Sequence, residues 1–196
     1  MGIDLLPKSL RDKYEVSEWK HACAILSNDF PEEWKDLIDL LNGFYFCKSW
    51  ITVPGGGKSE VSKYIDNFLY KRGWLEKEFS TSVKVDDEIK DSPTHKVDCF
   101  KNKIALEIEW NNKDPFFDRD LNNFRLLFDL RVVSVGILIT RADHLQDIFD
   151  ELGRGKSYGA STTHMSKLLP KIQGGSSGGC PLLVFGITNK LYQEDC

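Results

Sequence analysis

No apolar run in the 196-residue chain reaches the roughly 18 residues needed to cross a bilayer. Its opening, MGIDLLPKSLRDKYE, also lacks the apolar centre of a secretory signal. A helical membrane span is therefore not expected, and a cytoplasmic location is. The five cysteines, Cys23, Cys47, Cys99, Cys180 and Cys196, are odd in number and never fall as Cys-x-x-Cys. Neither a disulfide framework nor a thiolate zinc site is indicated, and they read as thiols of a reduced compartment. There is no internal repeat. A phosphate loop is incomplete in TVPGGGKSE, because Thr52 stands where the motif needs its first glycine, five residues before Gly57. Acidic residues are missing altogether from Leu152 to Gln193, where Arg154, Lys156, Lys167, Lys171 and Lys190 supply positive charge. Such a segment suits either phosphate or plain solvent, and a formal net charge of −4 announces no nucleic-acid partner by itself.

What is present is enough to bury a core: 41% of the residues are hydrophobic and 12% aromatic, which excludes a disordered tail. A single domain over residues 1–196 is expected. KYEVSEW alternates as a strand does. SNDFPEEWKDLIDLLNG reads as a helix with cap residues at Ser27 to Asp29, Pro31 in its first turn and Gly43 at its end. A second helix is expected over about Ser59 to Arg72, closed by Gly73. KIALEIEW and VVSVGILIT are strand-like and flank a helix over about Phe117 to Leu130, in which Phe117, Leu121, Phe124 and Phe128 recur at helical spacing. PLLVFGIT is a third buried strand, preceded by the loops GRGKSYGASTTH and QGGSSGGC. The pattern predicts an α/β protein with a central mixed β-sheet flanked by helices on both faces.

The chemistry concentrates in VDCFKNKIALEIEW. Alternate side chains of a strand share a face, so Glu107 and Glu109 point together while Leu106 and Ile108 point away. A tight turn near Lys101 and Asn102 returns Asp98 to the same end. Three converging carboxylates repel unless a hard cation such as Mg²⁺ sits between them. A Glu-x-Glu pair on a solvated strand face is the bland alternative, and the apolar residues around the pair argue for a central strand. Directly after it come Asn111, Asn112 and Lys113, residue types that pair with adenine and guanine edges in the major groove, or that simply make a turn.

Asp-x8-Glu-x-Glu at a hairpin resembles the metal site of the PD-(D/E)xK nucleases, and more narrowly that of type II restriction endonucleases of the BglII and BstYI kind, with BamHI more distant. YEVSEWKHACAILSNDFPEEWKDLIDLL, KRGW, IALEIEWNNKDPFF, VGILIT and PLLVFGI are similar to successive segments of that family, so the resemblance covers most of the chain in order. It implies a restriction-endonuclease-like core and Mg²⁺-dependent cleavage of both strands of double-stranded DNA at a short palindrome containing GATC. The protein would act as a homodimer, with a cognate DNA methyltransferase in the host. Asp98 and Glu107 would ligate the metal with the backbone carbonyl of Ile108. Glu109 stands where the superfamily usually carries lysine, and would orient or deprotonate water or help hold a second metal. Glu76 or Glu78 would be a fourth acidic group. Asn112 would face the bases, and Arg154, Lys156, Ser157, Ser161 and Thr162 would form a second recognition loop. The helix after the catalytic strand would pack against its twofold mate. A structure-selective or repair nuclease and an inactive DNA-binding module remain as alternatives.

Overall fold

A computed structural model describes residues 2–53, 57–91, 94–194 and 196. Gly55 and Gly56 of the glycine-rich turn lie outside them. In chain order the elements are α1 (Lys8–Lys13), β1 (Tyr14–Trp19), α2 (Ala22–Asp29), α3 (Pro31–Gly43), β2 (Phe46–Cys47), α4 (Lys48–Thr52), α5 (Glu60–Tyr70), β3 (Leu75–Lys77), β4 (Ser82–Val85), β5 (Glu88–Asp91), β6 (Val97–Lys101) and β7 (Ile104–Glu109), followed by α6 (Pro115–Asp129), β8 (Val135–Arg141), α7 (Leu145–Glu151), α8 (Met165–Gln173), β9 (Leu182–Ile187) and β10 (Tyr192–Gln193).

The central sheet has six strands in the order β1-β9-β8-β7-β6-β3. β7, β8 and β9 run parallel, and the outer pairings are antiparallel. The expected mixed α/β sheet is therefore present, with β7 an inner strand. Strand alternation divides the core in two. Leu106, Ile108, Ile137, Ile139 and Phe185 pack with Leu26 of α2, Leu37 and Leu41 of α3, and Val61, Ile65 and Leu69 of α5. On the other face Ala105, Leu138 and Val184 meet Phe117, Leu121 and Phe124 of α6 and Met165 and Leu168 of α8.

Local chemistry accounts for both ends of α5 and the start of α3. The Ser59 hydroxyl accepts from the Ser62 N–H at 3.0 Å and caps α5. Gly73 follows that helix with φ +85°, a conformation that glycine adopts without steric cost. Pro31 opens α3, where its missing N–H would have had no partner in any case. Ser27 to Asp29, expected as caps of α3, instead end α2, whose Ala22, Cys23 and Leu26 are fully buried. QGGSSGGC, expected as a flexible loop, makes hydrogen-bonded turns around the fully buried Ser177.

One expectation about cysteine is overturned. β10 pairs with β2 in parallel, Gln193 opposite Cys47, and so carries the chain end to that cysteine. Cys47 and Cys196 form a disulfide, while Cys23, Cys99 and Cys180 are buried thiols. Among the described residues no helix is long and apolar enough to cross a membrane.

Candidate active site

β6 and β7 are joined by two residues, Asn102 and Lys103, with φ of +44° and +68°. Two left-handed residues make the kind of turn whose twist matches a hairpin. The register pairs Lys101 with Ile104 and Cys99 with Leu106, which brings Asp98 beside Glu107. The Asp98 N–H donates to Glu107 Oε2 at 3.3 Å, and the Ile108 N–H donates to Asp98 Oδ2 at 3.0 Å. Each carboxylate is thus oriented by the other strand's backbone. Beyond β7, Trp110 makes edge contacts with Phe46, Phe149 and Tyr158, which anchor the strand where the site opens.

Glu107 and Glu109 are only 1% and 2% exposed, so they do not lie on a solvated strand face. They share the face of Ala105 and point towards α6, where Asp120 is fully buried. Glu109 Oε2 accepts from the Asn112 side-chain amide at 2.8 Å, and Glu109 Oε1 is paired with Arg119 at 3.3 Å. Arg119 also donates to Asp120 Oδ1 at 2.9 Å and lies over the Phe116 ring. The Glu109 and Asp120 carboxyl groups are both paired with the Arg119 guanidinium.

Burial, and secondly the Asp120 charge, push the Glu109 carboxyl up to about 9. Glu107 is held well above the usual carboxylate range, first by burial and then by Asp120 and Asp98. Asp120 is pushed up to about 6 by burial, against the pull of Arg119. His95 is lowered, first by burial and then by Arg119, which favours its neutral imidazole. Of the four carboxyl groups Asp98, Glu107, Glu109 and Asp120, the Arg119 guanidinium pairs with two, Glu109 and Asp120. Such a cluster is short of positive charge.

Above the acids lies a cavity of about 570 Å³ whose lining includes Asp98, Glu109, His95, Lys58, Arg119 and Arg154. Lys58 pairs with the buried Asp66 of α5. Cations around an acidic floor suit a polyanion whose phosphate must come close to the carboxylates.

The two expected reading segments are knitted together. Lys113 and Thr162 form an antiparallel bridge, the Asp114 N–H donates to the Ser161 carbonyl at 3.0 Å, and the Thr163 N–H donates to the Asn112 carbonyl at 2.8 Å. Asn111, Asn112 and Arg154 line the cavity, whereas Lys113, Lys156, Ser157 and Ser161 are exposed nearby. Thr162 is not free to read DNA: its hydroxyl accepts from Arg141 at 2.9 Å and donates to the Gly159 carbonyl at 2.8 Å. Arg141, 1% exposed, also donates to the Tyr158 carbonyl at 2.7 Å and so supports the whole loop from inside.

Glu76 acts with Asp98 on the charge of His95 without joining the buried acids. It lies exposed on β3 with Lys96 at 3.5 Å and is not among the residues lining the cavity, because the strand turns its side chain to solvent. Asp120, Arg119, His95 and Lys58 belong to the site without having been singled out from sequence. Asp120 could have been: it falls three residues after Phe117 and four before Phe124, on the buried stripe of α6.

Among curated proteins no match is found. A family model described as restriction endonuclease BglII/BglIII matches residues 14–187, from the first sheet strand to the end of β9. The chain belongs to the BglII/BglIII restriction endonuclease family and is a type II restriction endonuclease, a site-specific deoxyribonuclease.

Proposed function

We propose that the enzyme hydrolyses phosphodiester bonds on both strands of a short palindromic site in double-stranded DNA, with Mg²⁺ held by Asp98, Glu107 and the backbone carbonyl of Ile108. The observation that carries this reading is the cluster of four carboxyl groups of which Arg119 pairs only two, and in which the buried Glu107 Oε1 has no hydrogen-bond partner among the described residues. Hard oxygen donors short of positive charge fit Mg²⁺. When bound, Mg²⁺ supplies a Lewis acid for the scissile phosphate.

The remaining work falls to the chain. Glu109, once deprotonated, orients the attacking water and takes its proton, a role that lysine could not fill in the same way. Lys58, Arg119 and Arg154 meet the phosphates. Asn111, Asn112 and Lys113, with Ser157, Ser161 and Lys156 of the bridged loop, contact base edges or backbone. Because Asn112 also donates to Glu109, a base contact at Asn112 is passed directly to the group that handles the water. Recognition and cleavage are thereby coupled.

Phe116 and Leu130 of α6 and its C-cap are 37% and 49% exposed. Paired about a twofold axis, that helix would set one active site on each strand of a palindrome. A GATC-containing site, a protecting methyltransferase and a cytoplasmic location complete the reading. The test is to sequence the ends of fragments from digested unmethylated DNA and to measure sedimentation of the protein. Ends that share one palindrome, from a dimer, support it; scattered ends or an active monomer refute it.

A further inference from the structure

We propose that His95, Glu107 and Asp120 form a second divalent-cation position, behind the Asp98 side of the site, with a preference for a transition ion of the Mn²⁺ or Zn²⁺ class. One ligand atom from each residue lies within 4.8 Å of the others. Donors at about 2.0–2.2 Å from a shared ion stand roughly 3–4 Å apart, so a pair at the outer separation needs to draw in by about 1–2 Å. The half-buried His95 supplies that movement on the cavity side. Its backbone is tethered, because its carbonyl accepts from Asn123 of α6 at 3.1 Å.

Two further facts separate this cluster from an ordinary acidic patch. Glu107 and Asp120 are 1% and 0% exposed, where uncompensated carboxylates are costly. Glu107 Oε1 and Asp120 Oδ2 have no N–H or hydroxyl donor among the described residues, although each partner oxygen is satisfied, by the Asp98 N–H and by Arg119. A buried polar atom without a partner calls for an explanation, and an ion is one that satisfies both oxygens at once. One imidazole with two carboxylates favours a softer divalent ion over Mg²⁺, which takes oxygen ligands. This position shares Glu107 with the proposed Mg²⁺ position but does not use Asp98.

The test is pulsed electron paramagnetic resonance of the full-length protein titrated with Mn²⁺ alone, with wild type, His95→Gln, Asp120→Asn and Asp98→Asn compared. Wild type and Asp98→Asn should show nitrogen-14 modulation from a bound imidazole. His95→Gln should abolish that modulation, and Asp120→Asn should weaken Mn²⁺ binding at this position by about tenfold or more. Circular dichroism confirms that each variant is folded, and the near-isosteric Asp120→Asn keeps the test open if His95→Gln is not. Absence of nitrogen modulation in wild type, its persistence in His95→Gln, or no Mn²⁺ binding at all overturns the proposal. Loss of DNA cleavage in Asp98→Asn is read separately. If that variant cleaves normally, the Mg²⁺ reading fails while the second position stands.

Discussion

In the absence of divalent metal the protein should lose stability as pH rises from about 6 to about 8. The Glu109 carboxyl titrates at about 9 in the folded chain against an ordinary value of 4.5, so the native state keeps a proton that the unfolded state gives up. A raised folded value contributes stability that is complete below the unfolded value and is lost as pH climbs through the folded one. One extra bound proton corresponds to about 1.4 kcal/mol per pH unit, or about 3 kcal/mol over two units. For a chain of this size that lowers Tm by about 6–11 °C. Glu107, shifted in the same direction, steepens the slope further. The assay is thermal melting followed by near-ultraviolet circular dichroism in EDTA across this range, with Glu109→Gln beside wild type. The variant removes the titration and should flatten the slope by close to one proton. Identical slopes for the two proteins would refute the assignment of the retained proton to Glu109.

Three other perturbations follow from the packing. Gly136→Ala places a Cβ 2.7 Å from Leu182 Cδ2 and 2.8 Å from Phe124 Cδ2, and urea denaturation should show a loss of about 1–3 kcal/mol through overpacking. Arg141→Met leaves the Tyr158 carbonyl and the Thr162 hydroxyl without their buried donor; a loss of about 2–4 kcal/mol and weakened DNA binding by fluorescence anisotropy are expected. Asn112→Ala frees Glu109 and removes a base-reading amide, so discrimination between cognate and altered duplexes should fall by about 1–3 kcal/mol while stability changes little.

Alternation and helical spacing were sufficient to find β1, α3, α5 and α6, and the parallel strands β7 to β9 stood out as β-rich, mostly apolar runs because they are buried at every position. The same alternation made Asp98, Glu107 and Glu109 legible, since the only unknown was a two-residue turn. Other elements gave weaker signals. α2 carries apolar residues on several sides, and α8 contains Pro170, which ordinarily argues against a helix. The exposed hairpin of β4 and β5 buries nothing, so no core pattern marks it. Asp120 was hidden by its type, because an aspartate on a helix usually faces water and only its place on the stripe of Phe117 and Phe124 said otherwise. His95 and the pairing of Cys47 with Cys196 depend on contacts between distant segments, which no local pattern records.

The most direct test of the central claim is digestion of an unmethylated plasmid rich in GATC-containing palindromes, with Mg²⁺ or EDTA, by wild type and Glu107→Ala. Discrete fragments with wild type and Mg²⁺ alone are predicted. The same fragments from Glu107→Ala, or from wild type in EDTA, would contradict the account that these buried acids hold the ion on which cleavage depends.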